Sequence, residues 1–325
     1  MLAPAANRVY AGEADRLAAA ELAICCPGLS SVTTWTVAGV GYLCFEADDV
    51  DLEAIARLSA TLALFRVEGD LLRPVELPAT DWLDDDLVTI PKYPGKTNEQ
   101  FTRLLVNVTL ASVLRAPGPR EVLDPLAGRG TTLTTAWLLG HDGFGVEGDP
   151  KAVEAMSAFL TTWLRRTRLK HTAGLSPVRR EGRSLGKRFD ATVRPAGRRE
   201  LTMAVFTGDT RSSADLWGKR QFDAIITDAP YGVVHGSADR GGSPSKRDRS
   251  PAGLLDEAIP VWVGQLRPGG ALGLSWNTHG LSREKLVELL TAEGLQVHDE
   301  GPWLDFGHRV DSSIQRDLVV ATRPL

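Results

Sequence analysis

From about residue 91 onward, short apolar segments alternate with segments of helical period, and this alternation restricts the possible folds more than any other feature of the chain. The apolar segments "EVLDPL", "DGFGVEG", "LTMAVFTGD", "QFDAIITD" and "GGALGLSWN" are typical of strands. Helical spacing separates them, as in "DPKAVEAMSAFLTTWL" and "SREKLVELLTAEG". Alternating strands and helices form a parallel sheet covered by helices on both faces. Residues 91–325 are therefore predicted to form a doubly wound, Rossmann-like α/β domain with its ligands beyond the carboxyl ends of the strands.

Both ends of the chain depart from this alternation. The last segments, "LQVHDEGPWL" and "RDLVVATR", predict an antiparallel strand pair. Residues 1–90 combine two helical segments with short strands and hold five basic against fifteen acidic residues, a local charge of −10. We predict that this part forms a small acidic α+β domain of ferredoxin-like type together with a linker that ends near Pro91.

Composition excludes several classes of protein. The three cysteines all lie near the N-terminus without metal-ligand spacing, so neither a disulfide framework nor a zinc site is expected. No apolar run approaches the roughly 18 residues of a membrane span, and the N-terminus has no signal-peptide pattern. We therefore expect a cytoplasmic protein.

Residues 160–200 form a strongly basic stretch that contains twelve basic and three acidic residues. Such a stretch either binds a polyanion or forms a solvated loop. A Gly/Ser-rich segment, 233–251, resembles a mobile lid over a substrate. As candidates for phosphate contacts in the two segments we name Arg165, Arg166, Arg168, Lys170, Arg179, Arg180, Arg183, Lys187, Arg188, Lys246 and Arg247.

A glycine loop, "LDPLAGRGTTL", follows the first strand of the alternating region. Gly128 and Gly130 allow a ligand to approach the backbone closely. The dinucleotide fingerprint requires a third glycine where this chain has Leu133, and a phosphate-binding loop requires a lysine where it has Thr131. The pattern disfavours both kinds of phosphate-binding site.

Acidic residues follow three successive strands, and together they fit S-adenosylmethionine. Its ammonium group needs an acceptor near Asp124, its ribose diol a carboxylate such as Glu147, and its adenine amino group an acceptor such as Asp209. For Asp149, before Pro150, a helix-capping role is favoured. The full candidate cofactor set is Thr97, Asp124, Pro125, Ala127, Gly128, Gly130, Thr131, Glu147, Gly148, Asp209 and Thr210.

The motif "DAPYG", after the fourth strand of the alternation, offers groups suited to an exocyclic amine. The Asp228 carboxylate and the Ala229 carbonyl can each accept one N–H and so direct the nitrogen lone pair at a methyl donor. Pro230 stiffens the loop, and Tyr231 provides a ring for base stacking. The same residues also form an ordinary turn, which Asp228 could cap. No metal is required for this displacement.

Together with the glycine loop, this motif resembles those of class I methyltransferases that modify exocyclic amino groups of bases. "YPGKTNEQFTRLLVN" and "HRVDSSIQRDLVV" are similar to segments of the tRNA guanine-N2 methyltransferases of the Trm11 and TrmG10 type. The matching positions are Pro94, Gly95, Arg103, Asn107, Val310, Ser313 and Arg316. The family usually has proline where this chain has Ala229. Its members also commonly carry a THUMP module together with a ferredoxin-like domain before the catalytic domain, and ninety residues are too few for both.

The resemblance implies a methyltransferase that depends on S-adenosylmethionine and acts on a base amino group in RNA, with guanine N2 of tRNA as the first expectation. A DNA adenine-N6 or cytosine-N4 methyltransferase shares the same motif chemistry and remains an alternative. A catalytically silent nucleic-acid-binding protein that retains the fold is a further alternative. The sequence indicates no oligomeric state.

Overall fold

The structure, a computed structural model, describes residues 1–4, 8–91, 93, 96–180, 182–230 and 251–325. The first elements along the chain are α1 (Arg8–Cys25), β1 (Ser30–Val37), β2 (Val40–Glu46), α2 (Leu52–Arg57), β3 (Leu64–Glu68), β4 (Leu71–Val75), α3 (Asp86–Thr89) and α4 (Glu99–Ala111). They are followed by β5 (Glu121–Asp124), α5 (Thr131–Leu138), β6 (Asp142–Glu147), α6 (Pro150–Thr167), β7 (Lys170–Arg180), β8 (Arg183–Arg194) and β9 (Leu201–Thr207). The last elements are α7 (Ser213–Trp217), β10 (Phe222–Asp228), α8 (Pro251–Gln265), β11 (Leu266–Asn277), α9 (Arg283–Ala292), β12 (Gln296–His298), β13 (His308–Arg309) and β14 (Gln315–Thr322).

One large sheet organises the alternating region, with strand order β12-β14-β11-β10-β5-β6-β9-β8-β7 and β13 paired to β14. The five central strands β11, β10, β5, β6 and β9 are parallel, and β12 and β14 pair antiparallel. The predicted doubly wound α/β fold and the terminal antiparallel pair are thus confirmed. Because the order reverses between β5 and β10, the crevice beyond their carboxyl ends is where such a sheet binds ligands.

Helices cover both faces of this sheet. On one face α8 and α9 pack through residues such as Trp262 and Leu286. On the other, α4, α5 and α6 bury Phe101, Trp137 and Leu160. The helices form where the sequence places apolar residues three and four apart; α6, for example, buries Val153, Met156, Leu160, Trp163 and Leu164.

The N-terminal part differs from the predicted ferredoxin-like domain. Its strands form two separate two-stranded sheets, β1-β2 and β3-β4, rather than one four-stranded sheet. Helix α1 packs on α4, where Leu17 and Ala20 share a core with Phe101 and Leu104. Leu22 of α1 also packs with Val32 and Leu43 of the β1-β2 sheet, so α1 contacts both that sheet and α4. The domain boundary at residue 90 remains a prediction.

The basic stretch is also more ordered than a solvated loop. Its residues extend the sheet as the antiparallel hairpin β7-β8, which pairs with the edge of β9. Phe189, Ala191 and Val193 of β8 are buried in the core beneath α6. Alternation of these apolar residues with polar ones gives the strand one buried face and one exposed face.

Candidate active site

Asp124, the last residue of β5, fixes the start of the glycine loop. Its side chain is buried, and Oδ1 accepts hydrogen bonds from the Leu126 amide at 3.1 Å and the Thr227 hydroxyl at 2.7 Å. Thr227 belongs to β10, so this carboxylate links the two strands between which the sheet order reverses. Burial raises the pKa of Asp124 to about 7. The crevice therefore contains a carboxyl group that titrates close to neutral pH.

The two glycines of the loop have left-handed backbone conformations, with φ of 51° at Gly128 and 83° at Gly130. A Cβ at Gly130 would lie 2.6 Å from the Met156 sulfur, so the absence of a side chain allows α6 to pack against the loop. A Cβ at Gly128 would meet no atom of the described residues within 4 Å. The backbone at Gly128 thus borders open space at the start of α5, where a ligand can approach closely.

Glu147, at the end of β6, supports the loop from the neighbouring strand. Its two carboxylate oxygens accept hydrogen bonds from the amides of Gly128 at 2.6 Å and Asp149 at 2.7 Å. Burial raises the pKa of Glu147, although these hydrogen bonds oppose the shift. Asp149 itself caps α6 by accepting from the Lys151 amide at 2.9 Å, which confirms the capping role expected from the sequence.

The predicted cofactor residues after β9 have clear structural roles. Asp209 accepts from the Arg211 amide at 2.9 Å and pairs with the Arg211 guanidinium at 2.6 Å. Burial raises the pKa of Asp209, but the hydrogen bonds from Arg211 outweigh that effect and lower it overall. Thr210 is buried and accepts from the Trp262 indole at 3.0 Å. Their contact with a cofactor remains a prediction.

Asp228 ends β10 and is held on several sides. Oδ1 accepts from the Ser275 hydroxyl at 2.6 Å, Oδ2 accepts from the Thr97 hydroxyl, and the Arg316 guanidinium lies 3.8 Å from Oδ2. Arg316 is buried and its guanidinium lies 4.6 Å above the centre of the Phe101 ring. Two hydroxyl donors and one nearby guanidinium, all from distant parts of the chain, thus fix the direction of this carboxylate.

The residues after Asp228 are described only in part. The Ala229 amide donates to the Ser275 carbonyl at 2.8 Å, which extends the contact between β10 and β11. Tyr231, Lys246, Arg247 and positions 233–250 of the predicted lid lie outside the described residues, as do Pro94 and Gly95. Base stacking by Tyr231 and closure of a lid therefore stay predictions.

Several residues of the site were not identified from the sequence. The Tyr93 hydroxyl lies 3.1 Å from the Thr131 hydroxyl, and the Arg129 guanidinium lies 4.5 Å above the Tyr93 ring. Burial raises the pKa of Tyr93. Ser275 and Thr227 were also missed, since a single hydroxyl inside an apolar strand gives no signal of its own. Thr97 was predicted to contact the cofactor, but in the structure its hydroxyl contacts Asp228.

Two residues of the tRNA-methyltransferase-like segment lie away from the crevice. Arg103 forms a bidentate pair with Asp81 at 2.7 and 2.8 Å and donates to the Arg57 carbonyl. Asn107 donates to the carboxylate of Glu21, which is fully buried, at 2.7 Å. Both side chains attach the N-terminal part to α4, so their role is structural.

The predicted phosphate-binding residues do not form one continuous surface. Arg188 in β8 pairs with Phe206 near the carboxyl end of β9, and the hairpin end with Arg179, Arg180, Arg183 and Lys187 lies further in that direction. At the other end of the hairpin, Val193 pairs with Leu201, the first residue of β9. The next residue, Arg194, pairs with Lys170, so Lys170 lies at the amino end of β9.

Arg165, Arg166 and Arg168, at the end of α6, directly precede Lys170. The nine basic residues therefore divide between opposite ends of the sheet. The basic stretch is thus not one continuous surface, because the end of α6 and the tip of the hairpin lie at opposite ends of the sheet. Phosphate binding by its residues stays a prediction.

Acidic partners reduce the available charge further. Arg166 pairs with Asp86, Lys187 with Glu154 at 3.0 Å, and Arg188 with Asp190 at 2.8 Å. Arg165, Arg168, Lys170 and Arg179 are exposed and have no acidic partner within the described ranges. The Arg183 backbone is described but its side chain is not.

No cluster of three metal-ligating side chains occurs among the residues that the structure describes. In the same part of the chain, no helix has the length and apolar character required to cross a membrane.

Comparison with known proteins gives similar folds but no assigned family. No protein-family model and no curated protein matches the chain. Among solved structures it is similar to TehB from Haemophilus influenzae, with 11% identity and a TM-score of 0.38 over 67% of this chain and 61% of that one. It is also similar to the 16S rRNA N2 methyltransferase RsmC of T. thermophilus in complex with AdoMet and guanosine, with 16% identity and a TM-score of 0.39 over 91% and 51% of the two chains. A third, TrmN from Thermus thermophilus, has 15% identity and a TM-score of 0.42 over 78% and 56%. This chain spans between half and two thirds of each of these three proteins.

Proposed function

We propose that this chain is an S-adenosylmethionine-dependent methyltransferase that acts on an exocyclic amino group of an RNA base, with guanine N2 in tRNA as the first substrate to test. The observation that carries the proposal is the position of Asp228. Its carboxylate is fixed by Ser275, Thr97 and Arg316 at the carboxyl end of β10, beside the glycine loop that follows β5.

Charge and space at the crevice support the choice of this cofactor. Among the described residues, nothing lies within 4 Å of a Cβ built at Gly128, so they leave room for a ligand against the backbone of the loop. Asp124 and Glu147 place carboxylates on adjacent strands and suit a cationic ligand with a ribose diol. When bound, the cofactor would supply an electrophilic methyl group on a sulfonium.

The chain supplies orientation rather than acid or base chemistry. An exocyclic amine is a weak nucleophile because its lone pair is delocalised into the base. Hydrogen bonds from the amine to the Asp228 carboxylate and the Ala229 carbonyl would direct that lone pair, and such alignment can contribute about 7–11 kcal/mol. With the cofactor bound, an amine held in this way would take the methyl group as the carbon–sulfur bond breaks, and it would release its proton to water.

RNA is favoured as the substrate by the resemblance of two segments to tRNA guanine-N2 methyltransferases. The Arg316 segment lies at the site itself, since its guanidinium is next to Asp228. The Arg103 segment instead attaches the N-terminal part to α4. This second segment therefore supports packing of the N-terminal part on α4 and not contact with the substrate.

The test is transfer of tritiated methyl groups into total RNA and DNA from cells that lack the protein, followed by nucleoside mass spectrometry. We expect label in RNA, as N2-methylguanosine. Label in DNA alone would contradict the choice of RNA, and methylation of a carbon or an oxygen would contradict the role given to Asp228.

Asp228→Ala should lower transfer by about 100-fold or more, the usual effect of removing one group that stabilises a transition state, while cofactor affinity stays unchanged. Asp215→Ala is the matched control, because Asp215 is exposed on α7 and should leave both quantities unchanged. Loss of cofactor binding in Asp228→Ala would show that its role has been assigned incorrectly.

A further inference from the structure

A basic groove lies on the face of the sheet that carries α7, between that helix and the hairpin β7-β8. Its volume is about 710 Å³. Five of its lining side chains are cationic and one is acidic; they are Arg180, Arg188, Lys219, Arg220, Arg267 and Glu121. Three of the five cations, Lys219, Arg220 and Arg267, belong to none of the motifs that the sequence singled out.

The groove keeps positive charge after its internal ion pairs are formed. Glu121 accepts from both Arg220 and Arg267, Arg267 also pairs with Asp223 at 2.9 Å, and Arg188 pairs with Asp190 at 2.8 Å. Three acids thus compensate three of the five cations. Arg180 is held by the backbone carbonyls of Asp215 and Leu216, at 2.6 and 3.1 Å, which do not neutralise its charge.

Lys219 is exposed and has no acidic partner among the residues that the structure describes. Two cations, Arg180 and Lys219, thus border the groove without compensation. Their positions are set by α7 and by the end of β7.

An aromatic cluster forms the floor. The Trp217 ring packs edge-on against Phe206 at 4.8 Å and Phe144 at 5.4 Å between centroids, and the Arg220 guanidinium lies 3.8 Å above the Phe144 ring. The buried Trp217 indole nitrogen has no acceptor within the described part of the chain. Proteins follow a nucleic-acid backbone with a positively charged groove, and here the buried Phe206 and Phe144 rings support the Arg188 and Arg220 guanidinium groups that line it.

The groove extends along the strand direction. Arg188 lies near the carboxyl end of β9, at the same end of the sheet as Asp228, whereas Glu121 and Arg267 lie at the amino ends of β5 and β11. A strand of seven residues such as β9 spans roughly 23 Å. A ligand that fills the groove therefore has to be long and anionic, and small anions would occupy only a part of it.

We propose that this groove binds the sugar-phosphate backbone of the RNA substrate at a distance from the base that is modified. The proposal rests on RNA being the substrate. Arg180 and Lys219 bind phosphates directly, while Arg220 and Arg267 are held in place by Glu121 and Asp223. Such contacts give affinity and orientation without reading the sequence.

The test compares two double variants with the same loss of charge. Arg180→Gln with Lys219→Gln removes the two uncompensated cations of the groove. Arg66→Gln with Arg198→Gln is the control, because both side chains are exposed and lack an acidic partner in the described part of the chain. Affinity for fluorescently labelled bulk tRNA is measured by anisotropy between 50 and 200 mM salt, about the range over which phosphate contacts change affinity most visibly.

The groove variant should bind at least about tenfold more weakly, and the slope of log affinity against log salt should fall by about 2, one for each lost phosphate contact. The control variant should stay within about twofold of the unmodified protein. Thermal unfolding and cofactor affinity should not change in either variant, so a loss of RNA binding cannot come from misfolding.

Equal weakening in both variants would show that net charge, and not the groove, determines binding, and would overturn the proposal. Unchanged affinity in the groove variant would also overturn it, while methylation of RNA by the same variant would leave the proposed function intact. If the unmodified protein bound and methylated no RNA, both proposals would fail together.

Discussion

The glycine loop offers a quantitative test, because the structure assigns different roles to two residues that look alike in the sequence. Gly130→Ala places a Cβ 2.6 Å from the Met156 sulfur at a φ of 83°. Gly128→Ala places a Cβ more than 4 Å from every atom of the described residues, at a φ of 51°. The first change should therefore affect packing, and the second should affect a ligand.

The expected magnitudes follow from these geometries. A left-handed conformation costs an alanine about 1–2 kcal/mol at either position. Gly130→Ala adds about 1–3 kcal/mol for the crowding of a buried methionine, which gives a loss of about 2–5 kcal/mol in the free energy of unfolding. Both variants gain the same small entropic benefit from a less flexible unfolded chain, so this term cancels in the comparison.

The measurements are urea denaturation without ligand and calorimetric titration with S-adenosylmethionine. We expect Gly130→Ala to lose clearly more stability than Gly128→Ala. We expect Gly128→Ala to bind the cofactor at least about tenfold more weakly, because a methyl group then occupies the space beside the loop. Equal losses of stability, or unchanged cofactor affinity in Gly128→Ala, would refute the different roles assigned to the two residues.

Three further predictions concern buried charges. Cofactor affinity should rise between pH 6 and 7.5 as Asp124, with a pKa of about 7, ionises, and Asp124→Asn should abolish this rise in a calorimetric titration. Burial raises the pKa of Glu21, so the folded state holds this proton more tightly than the unfolded state and the free energy of unfolding falls as pH rises. Glu21→Gln has no such proton. The difference in free energy of unfolding between the unmodified chain and Glu21→Gln, measured by urea denaturation, should therefore shrink from pH 5 to 8. Arg316→Lys keeps the charge but loses the planar contact with Phe101, so kcat should fall about tenfold while cofactor affinity, measured in parallel, stays constant.

The parts of this structure that could be predicted from sequence are those with a local cause. Strands such as β10 are continuous apolar runs because both of their faces are buried in a parallel sheet. The start of α6 was recognisable because its two signals act locally: the Asp149 side chain accepts a hydrogen bond from a first-turn amide, and Pro150 stands where a helix needs no N–H donor. Gly128 and Gly130 marked the turn between β5 and α5 because only glycine takes those backbone angles at low cost.

Residues that act through distant partners were not recognisable. Thr97 and Asp228 are 131 positions apart, and nothing near Thr97 in the chain indicates that its hydroxyl reaches that carboxylate. Arg103 and Asn107 stood in a segment that resembles a known family, yet their side chains hold Asp81 and Glu21 instead of lining the crevice. A motif records which residues are present, but their partners depend on the packing of the whole chain.

The sequence by itself thus determined the α/β alternation, the glycine loop and the acids at the strand ends, since backbone periodicity and glycine conformations are properties of short segments. Only the tertiary structure decided how the basic stretch is used. Pairing of β8 with β9 carried Arg180 and Arg188 to the carboxyl end of the sheet and left Lys170 at the amino end. Which sheet edge a strand joins depends on residues far apart in the chain. Here β8 joins β9 because residues such as Phe189 are buried under α6. The distribution of charge along the sequence does not reveal that burial.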